Sequence, residues 1–156
     1  MKTILLLVGK TVEKHYVTGI DDYCGRIKHY MPIDIVTIPE LKNTKHLTEV
    51  QQKQMEGEQI LRQLQPSDVV VLLDEHGREF RSIELARWLE QKTQSAKRLV
   101  FVIGGPYGFS QDVYSRANEK ISLSKLTFSH QMVRLVFTEQ LYRACTIIKG
   151  EPYHHE

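Results

Sequence analysis

Apolar runs alternate along the chain with segments in which apolar residues recur at helical spacing. The runs predict buried strands, and the helically spaced segments predict amphipathic helices. The predicted strands are 2–9, 32–39, 68–74 and 98–103, with a short fifth strand inside 120–128. The predicted helices are about 11–30, a glutamine-rich helix ending near residue 65, 82–94, 111–119 and 132–148.

Most of the predicted strands have continuous apolar cores, which is typical of a parallel sheet covered on both faces. We therefore predict an α/β fold, with a mostly parallel sheet and helices on both faces. No repeat, linker or low-complexity segment interrupts the pattern, so residues 1–156 are expected to form a single domain. Ser82 and Ser110 are the expected N-caps of two helices, and segment 75–80, EHGREF, is expected to be a turn.

The composition suits a globular protein and excludes few functions. Hydrophobic residues make up 41% of the chain, enough for a core, and no apolar run approaches the roughly 20 residues that span a bilayer. The 21 Lys and Arg against 19 Asp and Glu are too balanced to diagnose a nucleic-acid partner, yet leave room for a local basic patch. Cys24 and Cys145 match no metal-ligand spacing and are expected to be reduced thiols in a cytosolic protein.

The segment GGPYGFS, residues 104–110, follows a predicted strand and begins with a cluster of glycines. Such a cluster indicates backbone that turns sharply or approaches something closely. It lacks the Rossmann glycine spacing, and the pair Gly9–Lys10 lacks the first glycine of a P-loop. Because ligands bind beyond the carboxyl ends of parallel strands, we predict that this loop meets residues 73–74 and 122–125 at one crevice. The alternative is that GGPYG is only a tight strand-to-helix turn.

The last predicted helix is apolar nearly all round, so it must be buried on more than one side. We expect one side to meet the sheet and another to meet a second subunit. Within this helix Arg143 can simply pair with Glu139 one turn earlier. Arg134 has no acidic residue at either i−4 or i+4 and is the better candidate for a phosphate contact.

Two adjacent histidines, His154 and His155, stand in the terminal segment PYHHE. They lack the i, i+4 spacing of a helical ligand pair and have no cysteine or acidic pair beside them, so no metal site is expected. They remain candidates for general bases. On local evidence alone, a chain end of this kind is a solvated tail.

Four segments together resemble the RlmH family, small bacterial methyltransferases of the SPOUT superfamily. They are LLLVGK, IGGPYGFS, ISLSKLTFSHQMVRLVFTEQLYRA and the terminal PYHHE. The resemblance covers the whole chain. It implies a cytoplasmic homodimer with a trefoil knot near the C-terminus, which uses S-adenosylmethionine to methylate N3 of a pseudouridine in 23S ribosomal RNA. From the apolar runs and the ligand spacing above, we expect no membrane and no metal partner.

The resemblance also implies cofactor contacts, which we carry over residue by residue. They fall on Leu73, Gly104, Leu123, Ser124, Lys125, Leu126, Thr127 and Phe128. The glycine loop would let the backbone close around the cofactor, and a side chain at Gly104 would occupy that space.

Methylation at N3 requires loss of the N3 proton, so alignment and a nearby base would assist it. Tyr153 and His154 are the candidate catalytic residues in the tail. Arg134, Arg143 and His155 are candidate RNA contacts, and His155 stands where Arg or Lys is common in the family. Two other functions stay open: methylation of another RNA such as transfer RNA, and a non-catalytic ribosome-binding factor with the same fold.

Overall fold

Five parallel strands form one sheet in the computed structural model, which describes residues 1–156. Their order across the sheet is β2-β1-β4-β3-β5, and every neighbouring pair is parallel. The strands are β1 (Lys2–Val8), β2 (Ile33–Ile38), β3 (Val69–Glu79), β4 (Arg98–Ile103) and β5 (Glu119–Ser122). The helices are α1 (Lys14–Ile27), α2 (Glu49–Arg62), α3 (Ser82–Ser95), α4 (Gln111–Arg116) and α5 (Met132–Ile148).

The sheet is covered on both faces, as the continuous apolar strands predict. Successive residues of β1 belong to two different cores: Leu5 and Leu7 face one cluster, and Leu6 faces the other. The larger cluster joins the sheet to α1, α3 and α5, and the smaller one joins it to α2 and α4. None of the helices combines the length and the apolar character that a membrane-crossing segment needs.

Segment 75–80 is not the turn that its polar composition indicates. Strand β3 continues to Glu79 and pairs with β5 on both sides of a bulge, so that Leu73 and Arg78 both lie opposite Ile121. Gly77 makes this possible, because a Cβ there would lie 2.6 Å from the backbone of Ile121. A glycine inside a strand often marks a bulge or such a close backbone approach.

The helix starts follow local capping chemistry, with one correction. Ser110 accepts a hydrogen bond from the backbone N–H of Val113 at 3.3 Å and caps α4, as predicted. Ser82 is instead the first residue of α3, because Arg81 holds the N-cap position and donates its backbone N–H to Glu84 at 2.7 Å.

Helix α5 lies between α1 and α3 and also packs on the sheet, where the rings of Phe137 and Phe101 are 4.8 Å apart. Its wide apolar surface is therefore covered largely within one chain. Among its apolar residues only Met132, 38% exposed, is strongly open to solvent. The wide apolar surface of α5 is therefore weaker evidence for a second subunit than the sequence pattern suggests.

Candidate functional site: a cleft beyond the carboxyl ends of β3, β4 and β5

Two loops and the bulged part of β3 meet in one cleft. Strands β4, β3 and β5 are neighbours, so the loops that follow β4 and β5 lie beside residues 73–76 of β3 at this edge of the sheet. The cleft has a volume of about 620 Å³. It is lined by residues 73–76, 103–109, 114, 121–124, 126–130 and 133.

The cleft contains nearly all the residues carried over as cofactor contacts. Its lining includes Leu73, Gly104, Leu123, Ser124, Leu126, Thr127 and Phe128. Lys125 is exposed and lies outside the lining. The loop holding these residues is shaped locally, since the Ser124 hydroxyl accepts the backbone N–H of Leu126 at 2.9 Å.

The glycine loop owes its shape to close packing rather than to an open space around Gly104. A Cβ on Gly104 would lie 2.9 Å from the ring of Phe109, which is buried. A Cβ on Gly105 would lie 2.9 Å from the carboxylate of Glu56 on α2. A side chain at Gly104 would have to displace the buried ring of Phe109, whereas one at Gly105 would have to displace only the end of the Glu56 side chain. The physical reason at Gly104 differs from the expected one, because the side chain would first meet Phe109.

Glu56 is a buried acid behind this loop. Its carboxylate accepts a hydrogen bond from Gln52 at 3.2 Å and is otherwise held close to the Gly105 backbone. Burial raises the pKa of Glu56, and the negative charge of Glu40 adds to the shift, while the bond from Gln52 opposes it. The loop thus rests against a group whose charged form is disfavoured.

The permanent charges that line the cleft are all negative. Asp74 and Glu75 are present in the lining, and it contains neither Lys nor Arg. The Asp74 carboxylate accepts the backbone N–H of His76 at 2.8 Å and the hydroxyl of Tyr114. Burial raises the pKa of Tyr114, and its bond to Asp74 raises it further, so the phenol remains a donor. This lining suits a ligand that carries positive charge and does not suit phosphate.

Arg134 does not present its guanidinium to a phosphate, which corrects the expectation from sequence. The residue is fully buried, and it donates to the backbone carbonyl of Val8 and to the hydroxyl of Thr11, each at 2.8 Å. Burial lowers the pKa of Arg134 from its ordinary value. Gln131, one turn earlier, bonds the same loop through the N–H of Val12 and the carbonyl of Lys10. Both residues fasten the β1–α1 loop to the start of α5.

The terminal segment packs against α5 instead of extending into solvent. The ring of Tyr153 meets the ring of Tyr142 edge-on at 4.8 Å, and its hydroxyl donates to Glu139 at 2.9 Å. Arg143 pairs with Glu139 at 2.7 Å, which was the simpler reading of that arginine. His155 is exposed. None of the tail residues lines the cleft of their own chain.

The hydrogen bonds of the tail indicate the roles of its two candidate catalytic groups. Arg143 lies 3.1 Å from Nδ1 of His154, and because arginine only donates, Nδ1 is the acceptor in this contact. Nε2 is 3.5 Å from the Glu156 carboxylate without a hydrogen bond to it. Burial, reinforced by the bond to Glu139, raises the pKa of Tyr153. The phenol is thus a proton donor at neutral pH.

Comparison with known proteins assigns this arrangement to a family. Residues 1–154 match the family model described as "Predicted SPOUT methyltransferase". The chain belongs to the SPOUT methyltransferase family. Proteins named "Ribosomal RNA large subunit methyltransferase H" from Bacteroides fragilis, Phocaeicola vulgatus and Flavobacterium johnsoniae are 66%, 64% and 52% identical to it. Each alignment covers 100% of both chains.

The cleft of this SPOUT-family chain also contains residues that the sequence analysis did not single out. His76, Tyr114 and His130 line it, together with Glu75. Tyr114 was treated only as part of a short helix, although an aromatic residue that closely follows a glycine loop is a reasonable signal. His76 and Glu75 were assigned to a turn. The glycine inside EHGREF was the available signal that this segment is a bulged strand beside the site.

Proposed function

We propose that this protein is an S-adenosylmethionine-dependent methyltransferase that methylates N3 of a pseudouridine in 23S ribosomal RNA of the large ribosomal subunit. The observation that carries the proposal is the acidic cleft beyond β3, β4 and β5, formed in a chain of the SPOUT methyltransferase family. The names of its full-length relatives support ribosomal RNA as the substrate class.

The cleft fits S-adenosylmethionine in size and charge. Its volume of about 620 Å³ is within the roughly 300–1,000 Å³ of small-molecule sites. Apolar residues such as Leu73 and Phe128 suit the adenosine part, and the Asp74 and Glu75 carboxylates suit the positive charge. The bound cofactor would supply an electrophilic methyl group on a sulfonium. Gly104, Gly105 and the loop 123–128 would hold it and exclude water.

We propose that the active form is a cytoplasmic homodimer of single-domain chains, each with a trefoil knot near its C-terminus. Family membership supports the knot. The placement of the tail supports the dimer, since residues 152–156 do not line their own cleft and would reach the cleft of a second copy or its RNA. Three exposed apolar residues, Val12, Leu126 and Met132, lie in the segments around the cleft and the start of α5 and suit such an interface.

Arg143 and His155 are the proposed RNA contacts. Arg143 retains further donors beyond those it gives to Glu139 and His154, and an arginine binds phosphate through a fork of N–H groups. His155 is exposed beside it in the chain. Such contacts position the RNA without reading its sequence. Arg134 is excluded from this set by its burial.

Proton removal from N3 is assigned to His154, with Tyr153 as a positioning partner. In the free chain Nδ1 of His154 accepts from Arg143 and is not available as a base. When Arg143 turns to a phosphate, Nδ1 is freed to accept the N3 proton directly or through one water. Tyr153 remains protonated, so its role is to stack on the target base or donate to it.

The test is mass spectrometry of 23S ribosomal RNA from a strain that lacks the gene. One methyl group on one pseudouridine should be absent and should return when the wild-type gene is restored. Purified transfer RNA and ribosomes should be compared as substrates with the isolated protein. Methylation of transfer RNA alone would favour the other-RNA alternative. Unchanged RNA in the deletion strain, with no cofactor binding by calorimetry, would favour a non-catalytic ribosome-binding factor.

A further inference from the structure

The two carboxylates of the cleft differ in how they are held. Asp74 is half-buried, and both of its oxygens already accept hydrogen bonds, Oδ1 from the His76 backbone and Oδ2 from Tyr114. Glu75 is exposed, with a side chain 71% accessible and only a 3.4 Å contact to His76. Water screens an exposed charge strongly and a partly buried charge much less. Asp74 is therefore the main fixed source of negative potential in the cleft.

The hydrogen bonds that hold Asp74 come from two separate parts of the fold. The N–H of His76 belongs to the bulged part of β3, two residues further along the strand. Tyr114 belongs to α4, and its ring meets Phe109 of the glycine loop edge-on at 5.8 Å. Tyr114 thus links the carboxylate to the same loop that would enclose the cofactor. The position of the charge is fixed before any ligand arrives.

The Asp74 carboxylate can attract an ammonium and a sulfonium in different ways. A carboxylate has about four lone-pair sites, and two protein donors occupy only part of them, so an ammonium could still donate a hydrogen bond to Asp74. A sulfonium has no N–H or O–H to donate, so only the electrostatic potential attracts it. Both Asp74 oxygens accept hydrogen bonds from the protein, which fixes the direction of the carboxylate. A carboxylate fixed in this way attracts a sulfonium through its electrostatic potential, without a hydrogen bond between them.

We propose that Asp74, positioned by Tyr114, makes this cleft prefer the positively charged S-adenosylmethionine over the neutral thioether S-adenosylhomocysteine. This inference rests on the proposed function and adds a specificity-determining residue to it. The two molecules share their adenosine, amino and carboxylate groups and differ in one methyl group and in the charge at sulfur. A fixed anion in the same cleft would distinguish them by that charge, and it would favour release of the neutral product.

Calorimetry on the intact protein tests the preference without any RNA. The wild-type protein should bind S-adenosylmethionine about 10-fold more tightly than S-adenosylhomocysteine. This difference in binding free energy is smaller than the Coulomb energy of two opposite charges in a partly buried site. Asp74→Asn keeps the shape and should reduce this ratio to about 2-fold or less. The loss should come from weaker binding of S-adenosylmethionine, with the affinity for S-adenosylhomocysteine nearly unchanged. Glu79→Gln removes an exposed negative charge of the same strand that lies outside the cleft lining, and it should leave the ratio near the wild-type value.

Two further arms keep the inference falsifiable if Asp74→Asn does not fold. Sinefungin, which carries an ammonium in place of the methylsulfonium, should bind the wild-type protein more tightly than S-adenosylhomocysteine does. Tyr114→Phe keeps the carboxylate but releases one of its oxygens, and should lower the preference only partly.

The outcomes separate the inference from the proposed function. Equal affinity of the wild-type protein for S-adenosylmethionine and S-adenosylhomocysteine would overturn the role of Asp74, and so would an equal loss of both in Asp74→Asn. The cofactor assignment would survive either result. Failure of the wild-type protein to bind any of the three nucleosides would overturn the proposed function itself, and the inference with it.

Discussion

The guanidinium of Arg134 donates a hydrogen bond to the backbone carbonyl oxygen of Val8 at 2.8 Å, across 126 positions of sequence. The bond is buried and joins the first turn of α5 to the carboxyl end of β1. Val133, the preceding residue, lines the cleft. Arg134 therefore helps to position one wall of the cleft, although its own side chain does not line the cleft.

Arg134→Met is expected to destabilise the fold by about 1.5–3 kcal/mol, because it leaves the Val8 carbonyl unpaired and removes charge-assisted bonds. Urea unfolding measures the change. The exposed Arg87→Met on α3 is the control and should stay within about 0.5 kcal/mol of wild type. If Arg134→Met left the free energy of unfolding unchanged but made RNA binding weaker and less dependent on salt, Arg134 would instead be a phosphate contact.

Gly104→Val is expected to weaken binding of S-adenosylmethionine by at least about 10-fold. The new Cβ would lie 2.9 Å from the Phe109 ring and displace the glycine loop, at a cost to stability of roughly 1–3 kcal/mol. Calorimetry and thermal melting report the two effects separately. Gly25→Ala on α1 is the control, because nothing lies within 4 Å of its Cβ, and it should stabilise the helix by up to about 1 kcal/mol. Wild-type affinity in Gly104→Val would contradict the assignment of this loop.

Glu56→Gln is expected to raise the melting temperature at neutral pH and to have little effect in acid. The pKa of Glu56 is raised in the folded state, so the folded protein binds a proton that the unfolded chain has lost. The contribution of Glu56 to the free energy of unfolding is fully present at pH values below the ordinary pKa of glutamate. It is lost as the pH rises through the raised pKa of the folded state. Removing the charge should recover on the order of 1 kcal/mol, about 2–4 °C. Identical pH dependence of melting in the variant and the wild type would refute the prediction.

Deleting residues 152–156 is expected to abolish most methylation of ribosomes while the protein stays folded. Loss of the Tyr153 ring and hydroxyl contacts should cost about 1–2 kcal/mol of stability. Tyr153→Phe isolates the hydroxyl that donates to Glu139. Its control is Tyr30→Phe, which removes a similar 2.6 Å bond to Glu151 and should keep activity. Full activity of the truncated protein would make the tail a structural end only.

Met132→Glu is expected to convert the proposed homodimer to a monomer, since a charge buried at an interface without a partner costs several kcal/mol. Met132 is 38% exposed on α5, and Met55, 41% exposed on α2, is the matched control. Met55→Glu should leave the assembly unchanged. Sedimentation velocity at micromolar concentration gives the state of each. A monomeric wild-type protein under these conditions would reject the dimer.

The positions of β1, β4 and α5 along the chain follow from the sequence, because buried positions must be apolar and therefore produce a recognisable pattern. Leu5, Leu6 and Leu7 must all be apolar when both faces of a strand are covered, and α5 must be apolar on each side that meets a neighbour. The glycine cluster likewise marks its own loop, since Gly104 and Gly105 lie where a side chain would collide with the protein. These features depend on whether each residue is buried or close to other backbone. The spacing of apolar residues and glycines along the chain therefore predicts them.

Other features depend on partners that are distant in sequence, and only the tertiary structure decided them. The extension of β3 to Glu79 requires pairing with Ile121 and Ser122, so a polar segment became a strand. The pairing of Arg143 with Glu139 is local and was visible in the sequence, whereas Arg134 is buried against Val8, a partner 126 positions away. The cleft itself exists only because the strand order places the loops after β4 and β5 beside Asp74 and Glu75 of β3. A hydrogen bond between residues that are distant in sequence forms only when the topology of the fold brings them together. The residue types alone do not show which distant residues will meet.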